Sequence, residues 1–319
     1  MKEYVFVKQN SGKWKTYEEI IRNASSYSTQ KVSEVYQDLN ADLAYSHTQF
    51  PNGRVTEYLN NLTIEIHDYF YMPKGYWLQP VVEFFSKTIP QTMAQSQKEL
   101  LYAFIIFSLF VVAGVVLACQ DIENIKETLG SYYVEMTLRN IREGVPTGVY
   151  GYGRSSIDFV DITLNNLRVD LTTYAWGLIP ILGPLYIMEQ NGVMLGEFQM
   201  LFFLNDVGFQ SMSAIWIHGT IEISTIIICS AASLTLGLGW VFPGTYSRKE
   251  AFKRSGQRSV KILLSILPLT IIAGFLESFI TRHTEWPLII KLLIIFGSLT
   301  FILFYYVYYP NKLKKENKL

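Results

Sequence analysis

The last two thirds of the chain carry long apolar runs with few or no charged residues. Residues 101–119 are nineteen consecutive positions without a charge, long enough to cross a hydrocarbon core of about 30 Å as a helix. Backbone polar groups in lipid must be paired within their own segment, so such runs predict an all-α, polytopic transmembrane helix bundle. Further apolar runs occupy residues 172–188, 212–241, 262–280 and 287–309, and a shorter one at 193–205 contains Glu197.

Charge and cysteine content narrow the class further. The 319 residues include 27 basic and 27 acidic side chains, so the zero net charge gives no electrostatic case for binding nucleic acid. Cys119 and Cys229 both lie in apolar runs, which excludes a disulfide-stapled secreted domain. The sequence lacks the signatures of phosphate-binding loops, His-Glu-x-x-His metalloproteases and Gly-x-Ser-x-Gly hydrolases. We therefore predict a protein that is not an enzyme and uses no cofactor.

Loop charge orients the predicted spans. Segment 248–261 has six basic residues against one acid, and the tail after Pro310 has four lysines, so both are predicted to be cytoplasmic. Segment 120–170 has more acids than bases and is predicted to be an extracytoplasmic loop. With a cytoplasmic amino terminus, about six crossings satisfy every loop, and residues 193–205 then form a short span or half of a broken hairpin. Prolines and a glycine in the preceding segment favour the break.

The front of the chain, residues 1–95, predicts a cytosolic helical domain, and residues 96–319 the transmembrane domain. Two stretches repeat apolar residues every three or four positions, the spacing of amphipathic helices. The turn signal Pro51-Asn52-Gly53 separates them, and apolar residues around Trp14 indicate a shorter helix before them. Asp42 and His47 are interpreted as part of a solvated helix face. The periodic residues are Val32, Val35, Tyr36, Leu39, Leu43, Val55, Tyr58, Leu59, Leu62, Ile66 and Tyr69.

Ionisable residues inside the predicted spans are the unusual feature of this sequence. His218 and Glu222 are four residues apart and share one helix face, and Glu277 lies on the next span. The predicted topology runs these two helices in opposite directions and puts all three residues in the outer half of the bilayer. Asparagines at neighbouring span ends reach a similar level. The predicted intramembrane polar cluster is His218, Glu222, Glu277, Asn165, Asn166 and Asn205.

Three interpretations of this cluster stay open. Ionisable groups at membrane depth cost at least ~2.5–3.5 kcal/mol, so they usually face a partner inside the bundle. The first interpretation is structural, with His218 donating to Glu222 or Glu277 and locking the helices. The second is a transport pathway for an ion, a proton or a lipid headgroup. The third is a metal site or an intramembrane metalloenzyme, because one histidine with two carboxylates can bind zinc; whether a metal binds is left unknown.

A pair of small residues at the start of the predicted short span bears on helix packing. Gly192 and Gly196 are separated by three positions, the small-xxx-small pattern that lets two helix backbones approach closely. We predict that this pair packs against another helix. Homodimerisation through it is the weaker alternative.

Several residue blocks carry a family resemblance over most of the chain. At the front they are Trp14, Tyr36, Asp42-Leu43-Ala44 and Tyr58-Leu59-Asn60. In the membrane part they are Asn165-Asn166, Asn191-Gly192-Val193-Met194-Leu195-Gly196, His218-Gly219-Thr220-Ile221-Glu222 and Glu277-Ser278-Phe279-Ile280-Thr281. Together these blocks resemble the stage II sporulation protein M family of integral membrane proteins, and the long front resembles its longer relatives in bacteria that do not sporulate.

The resemblance implies a multi-pass protein of the bacterial cytoplasmic (inner) membrane without established enzymatic activity. In spore-formers such a protein is a scaffold that recruits cell-wall-remodelling enzymes. For this chain we expect a scaffold that organises partners in the cell envelope, with both termini cytoplasmic. The expected partners are the lipid bilayer and other membrane or cell-envelope proteins, and no nucleic acid. The alternative is a transporter or permease with His218, Glu222 and Glu277 in its pathway.

Overall fold

A computed structural model describes residues 2–71, 78–148, 155–283 and 285–316 of the chain. All regular secondary structure within these ranges is helical. The chain divides into two compact units, Met1–Val82 and Glu83–Leu319. Each unit has its own apolar core.

The first unit contains three helices: α1 (Glu3–Arg22), α2 (Thr29–Gln49) and α3 (Arg54–Tyr71). The Ser28 side chain accepts from the Lys31 amide and caps α2. The apolar faces of α2 and α3 pack against α1. This helix is longer than the short helix predicted from the residues around Trp14, because its polar residues obscure the helical spacing of its apolar ones. The fully buried residues of this core include Val32, Leu39, Leu59 and Ile66.

Asp42 has a structural role in this unit. Its Oδ2 accepts a hydrogen bond from the Trp14 indole at 2.7 Å and pairs with the Lys13 ammonium at 2.6 Å. His47 is exposed on the outer face of α2. Asp42 therefore fastens α2 to α1, because a buried indole N–H needs an acceptor.

From Glu83 onward the chain forms a larger helical assembly, which the short helix Gln79–Glu83 precedes. Ile89 and Met93 are fully buried in the same core as Phe107 and Ile262, so α5 packs with the apolar helices of the second unit. The helices are α4 (Gln79–Glu83), α5 (Ile89–Gln95), α6 (Gln97–Gln120), α7 (Ile122–Leu129), α8 (Ser131–Arg142), α9 (Ser155–Ala175), α10 (Leu182–Phe203), α11 (Gly208–Val241), α12 (Arg248–Phe275), α13 (Leu288–Leu303) and α14 (Tyr309–Lys315). π-Helical turns follow α4, α12 and α13 at Phe84–Thr88, Leu276–Ile280 and Phe304–Tyr308.

Four helical stretches among the described residues are long and apolar enough to cross a membrane. They are Gln97–Gln120, Gly208–Val241, Arg248–Ile280 and Leu288–Lys315. Residues on Gly208–Val241 are mostly buried among the other helices, so this stretch is central in the bundle. The chain is therefore a membrane protein of the all-α class.

The helices between residues 155 and 203 differ from the predicted runs. The run 172–188 is not one helix, because α9 ends at Ala175 and the chain turns before α10 begins at Leu182. Residues 182–188 of that run and residues 193–203 of the next run instead belong to one continuous helix, α10. The apolar pattern hid α9 because four charged residues interrupt it. They are Asp158, Asp161, Arg168 and Asp170.

Side-chain pairs give the direction of α9. The pairs are Asp158 with Arg282, Asp170 with Thr270, and Tyr174 with Ser259. Residue numbers increase along α9 as they decrease along α12, so the two helices are antiparallel. The turn between α9 and α10 lies against the C-terminal half of α11, where Gly177 approaches the backbone of Ser233. The antiparallel neighbours α9 and α12 both pack against α11.

The glycine pair of α10 packs against α6. A Cβ at Gly192 would stand 2.7 Å from Cβ of Phe110, and one at Gly196 would stand 2.8 Å from the Val115 amide and overlap the Val111 carbonyl. The contact points advance along both helices together, so α10 runs parallel to α6. Both glycines are buried within the chain, which leaves this pair no open face for a second copy.

The segment predicted as an external loop is largely helical. Ile125 on α7 and Val134 on α8 are fully buried against Ala118 and Leu201, the C-terminal ends of α6 and α10. The side chain of Asp121 accepts from the Glu123 amide and caps α7. Residues 149–154 of this segment lie outside the described residues.

Candidate functional site

The polar cluster predicted from the sequence forms where α11 meets the end of α12. His218 and Glu222 lie one turn apart on α11. Glu277 lies in the π-helical turn Leu276–Ile280, where the Thr281 amide donates to the Leu276 carbonyl at 2.8 Å, five residues back. A π-helical turn widens the helix and re-aims its side chains, and such turns are frequent at functional sites.

The three ionisable side chains meet. One ligand-type atom from each of His218, Glu222 and Glu277 lies within 4.8 Å of the other two. His218 is 3% exposed, and both glutamates are half-buried. The two carboxyl groups lie within hydrogen-bonding reach of each other. Two carboxylates this close in a low dielectric need a shared proton or a cation between them.

The ring of His218 is held by Thr281. Nδ1 of His218 lies 2.8 Å from the Thr281 hydroxyl, which in turn lies 3.1 Å from the Leu276 carbonyl. The Thr281 hydroxyl has one hydrogen. When this hydrogen is donated to the Leu276 carbonyl, the hydroxyl oxygen accepts a hydrogen bond from Nδ1–H of His218. On this assignment Nε2 keeps its lone pair.

The asparagines divide between the cluster and its surroundings. Asn166 on α9 donates from Nδ2 to Oε1 of Glu222 at 2.5 Å, so it belongs to the cluster. Asn165 is one position further round the helix and exposed. Asn205 donates to the carbonyl of Leu201, four residues back at the end of its own helix. The described contacts therefore join Asn166, and not Asn165 or Asn205, to the glutamates.

Asp170 and Thr270 extend the polar centre in a way that the sequence reasoning missed. Asp170 is 2% exposed, and its Oδ2 accepts from the Thr270 hydroxyl at 2.6 Å. The thiol of Cys229 donates to the Asp170 backbone carbonyl at 3.0 Å. Asp170 lies four residues after Asn166 on the same face of α9, a spacing that was readable from the sequence.

Tyr133 on α8 is a second residue that sequence reasoning missed. Burial raises the pKa of its phenol; the hydrogen bond with Thr137 lowers this pKa in part, and the nearby negative charge of Glu277 adds to the rise. Its ring packs against Phe198 with centroids 6.4 Å apart. No spacing rule could have found it, because its place depends on how α7 and α8 dock on the bundle.

Polar pairs continue along the interfaces of α9, α11 and α12. Starting from the C-terminal end of the π-helical turn, the pairs are Arg282–Asp158 at 3.7 Å, Thr281–His218, Thr270–Asp170, and Ser259–Tyr174 at 2.9 Å. The stretch from Ser259 on α12 to Thr281, just after the π-helical turn, spans roughly 33 Å at about 1.5 Å per residue. The line of polar side chains is therefore about as long as a hydrocarbon core is thick.

Comparison with known proteins gives two matches. The family model described as Stage II sporulation protein M matches residues 103–282, more than half of the chain, and that range contains α7 to α12 and the whole polar cluster. A model described as a domain of unknown function (DUF8413) matches residues 4–72, the three helices of the first unit. No curated protein and no solved structure matches the chain.

Proposed function

The chain belongs to the stage II sporulation protein M family, and from that premise we propose that it is a multi-pass scaffold of the bacterial inner membrane that organises partners in the cell envelope. In this proposal it crosses the membrane six times, by α6, α9, α10, α11, α12 and α13. Both termini are cytoplasmic. The first unit faces the cytoplasm, and α7 and α8 face outward.

The alternating helix directions support six crossings. If α6 runs outward, its parallel neighbour α10 runs outward too, and α9 between them must return. At 22 residues α10 is about 33 Å long, enough to cross. The basic segment 248–261 then faces the cytoplasm, as the positive-inside rule requires.

The docked helices α7 and α8 are the observation that carries the scaffold proposal. They are fixed to the bundle by Ile125 and Val134 and present an outward surface on which Tyr132 is 81% exposed. An ordered helical surface with an exposed aromatic residue is suited to bind another protein, since tyrosine is enriched at interfaces. The first unit offers a second such surface.

In-cell crosslinking tests the scaffold. A photoreactive amino acid at Tyr132 is expected to give discrete protein adducts, while one at the lipid-facing Leu109, 63% exposed on α6, gives none. Pull-downs with the full chain should recover partners that are lost when residues 2–71 are deleted. An unchanged partner set after deletion, together with no adduct at Tyr132, contradicts the scaffold.

A second candidate function is proton or cation transport, favoured by the line of polar side chains between α9, α11 and α12. Glu222→Gln and Asp170→Asn would then abolish flux in proteoliposomes while the folded protein stays abundant. Loss of folded protein instead favours a structural lock. Thr300→Val, on an exposed position of α13, is the matched control and should leave flux unchanged.

A further inference from the structure

The polar cluster has the composition of a metal site. We propose that His218, Glu222 and Glu277 bind one divalent transition-metal ion, with Zn²⁺ as the best fit. Imidazole nitrogen and carboxylate oxygen are both zinc ligands, and a site with three protein ligands leaves a fourth position for water or another molecule. This inference does not depend on the scaffold role.

The donor atoms are close to the spacing that zinc needs. Tetrahedral zinc holds nitrogen and oxygen ligands at about 2.0–2.2 Å, so the ligand atoms are roughly 3.4 Å apart. In the structure the three candidate atoms all lie within 4.8 Å of one another. An inward shift of the donor atoms by about one ångström, within the reach of the half-buried Glu277 side chain, brings the set to the spacing around an ion.

Each of two ligands is oriented by a neighbour on another part of the bundle. Thr281 holds Nδ1 of His218, which orients the imidazole ring and favours the Nδ1–H tautomer, the form in which Nε2 is the ligand-type nitrogen. Asn166 holds Oε1 of Glu222 and so fixes the plane of that carboxyl group. Metal-binding histidines and carboxylates are typically held by such outer hydrogen bonds, which set the tautomer and the angle of approach.

Charge balance favours a dication here. Two adjacent carboxylates in an apolar bundle carry a large desolvation cost unless a positive charge compensates them. Arg282, five residues after Glu277 in the chain, pairs with Asp158 at 3.7 Å. A shared proton could neutralise only one of the two glutamates, whereas a divalent ion neutralises both and also uses the histidine lone pair.

Metal analysis of the full-length protein tests the site. The chain is purified in detergent with a tag other than polyhistidine, stripped with a chelator, dialysed against Zn²⁺ and analysed by mass spectrometry of the metal. We expect about one zinc ion per chain, and its loss in His218→Ala and Glu277→Gln. Thr281→Val, which removes the positioning hydroxyl, should weaken zinc affinity by roughly 10–100-fold.

Glu197→Gln is the matched control. Glu197 is a buried glutamate on α10, outside the cluster, and its loss should leave zinc content unchanged. Glu277→Gln keeps the size of the side chain and is therefore the decisive variant if His218→Ala does not fold. Gel filtration checks that Glu277→Gln is folded. A zinc-free wild-type chain overturns the proposal and leaves a shared proton between the glutamates. Zinc retained by folded Glu277→Gln overturns it as well.

Discussion

The Thr270 hydroxyl donates a hydrogen bond to Oδ2 of Asp170 over 2.6 Å and so joins α12 to α9 inside the bundle. Both residues are almost fully buried. The backbone carbonyl of Asp170 accepts from the Cys229 thiol of α11, so three helices meet at this one residue. A carboxyl group at this depth depends on each of its donors, because no water replaces a lost one.

Thr270→Val should therefore destabilise the bundle. Valine keeps the shape of threonine but removes the donor, and leaving a buried acceptor unsatisfied costs about 1–3 kcal/mol. Denaturant titration of the protein in detergent micelles measures the loss. Thr300→Val makes the same chemical change at an exposed position of α13 and should have no measurable effect. Equal stability of the two variants would show that the Asp170 hydrogen bond contributes nothing.

Two simple rules predict from the sequence that His218, Glu222 and Glu277 meet. A spacing of four residues places His218 and Glu222 on one helix face, and opposite helix directions bring Glu277 to their level. The structure does bring these three together. The family resemblance is confirmed for the membrane part by the family match at residues 103–282, whereas the front blocks lie in the range 4–72, which a different model matches.

The parts that could not be predicted depend on tertiary packing. Hydropathy did not reveal α9, because four charged residues interrupt its apolar pattern, and two of them, Asp158 and Asp170, find their partners Arg282 and Thr270 only in the folded bundle. Tyr133 reaches the neighbourhood of Glu277 only because α8 docks on the ends of α6 and α10. A residue's position along the helix axis does not determine the direction it faces. Asn165 and Asn166 lie at nearly the same level of α9 but on different sides of the helix.

Gly196→Ala should separate α6 from α10. The added methyl group would overlap the Val111 carbonyl, a backbone atom that cannot rotate away. Overpacking of this kind costs about 1–3 kcal/mol, and denaturant titration should show the loss. Gly297→Ala is the control, because open space surrounds that glycine. It should be neutral or stabilising by up to about 1 kcal/mol through helix propensity. A Gly196→Ala variant as stable as the control would contradict the close approach of the two helices.

The stability of the first unit should fall at high pH. Burial, and then the hydrogen bond of its hydroxyl to Glu18, raise the pKa of Tyr58 from 10.0 to about 12. The unfolded chain therefore loses this proton first, so the contribution is complete below about pH 10 and is lost as the pH rises toward about 12. Burial and Asp38 raise the pKa of Tyr17 in the same direction.

Urea unfolding of fragment 1–82, followed by circular dichroism at about pH 9 and about pH 11, measures this loss. Tyr58→Phe should reduce the difference between the two pH values, and Tyr17→Phe with Tyr58→Phe should reduce it further. Tyr27→Phe, at an exposed tyrosine, is the control and should leave the difference unchanged. A pH difference that both variants retain in full would mean that neither phenol titrates with folding.

The two cysteines offer a test of the proposed topology without added reporters. Cys119 is exposed at the C-terminal end of α6, and Cys229 is buried in the bundle. In the six-span proposal Cys119 lies at the outer surface, so a membrane-impermeant maleimide should label the wild-type chain in intact spheroplasts and should fail to label Cys119→Ser. Lys253→Cys, made in the Cys119→Ser background, places a thiol in the basic segment that the proposal puts in the cytoplasm. That variant should react only after the membrane is permeabilised. Labelling of Lys253→Cys in intact spheroplasts, or of Cys119 only after permeabilisation, would invert the orientation and move α7 and α8 to the cytoplasmic side.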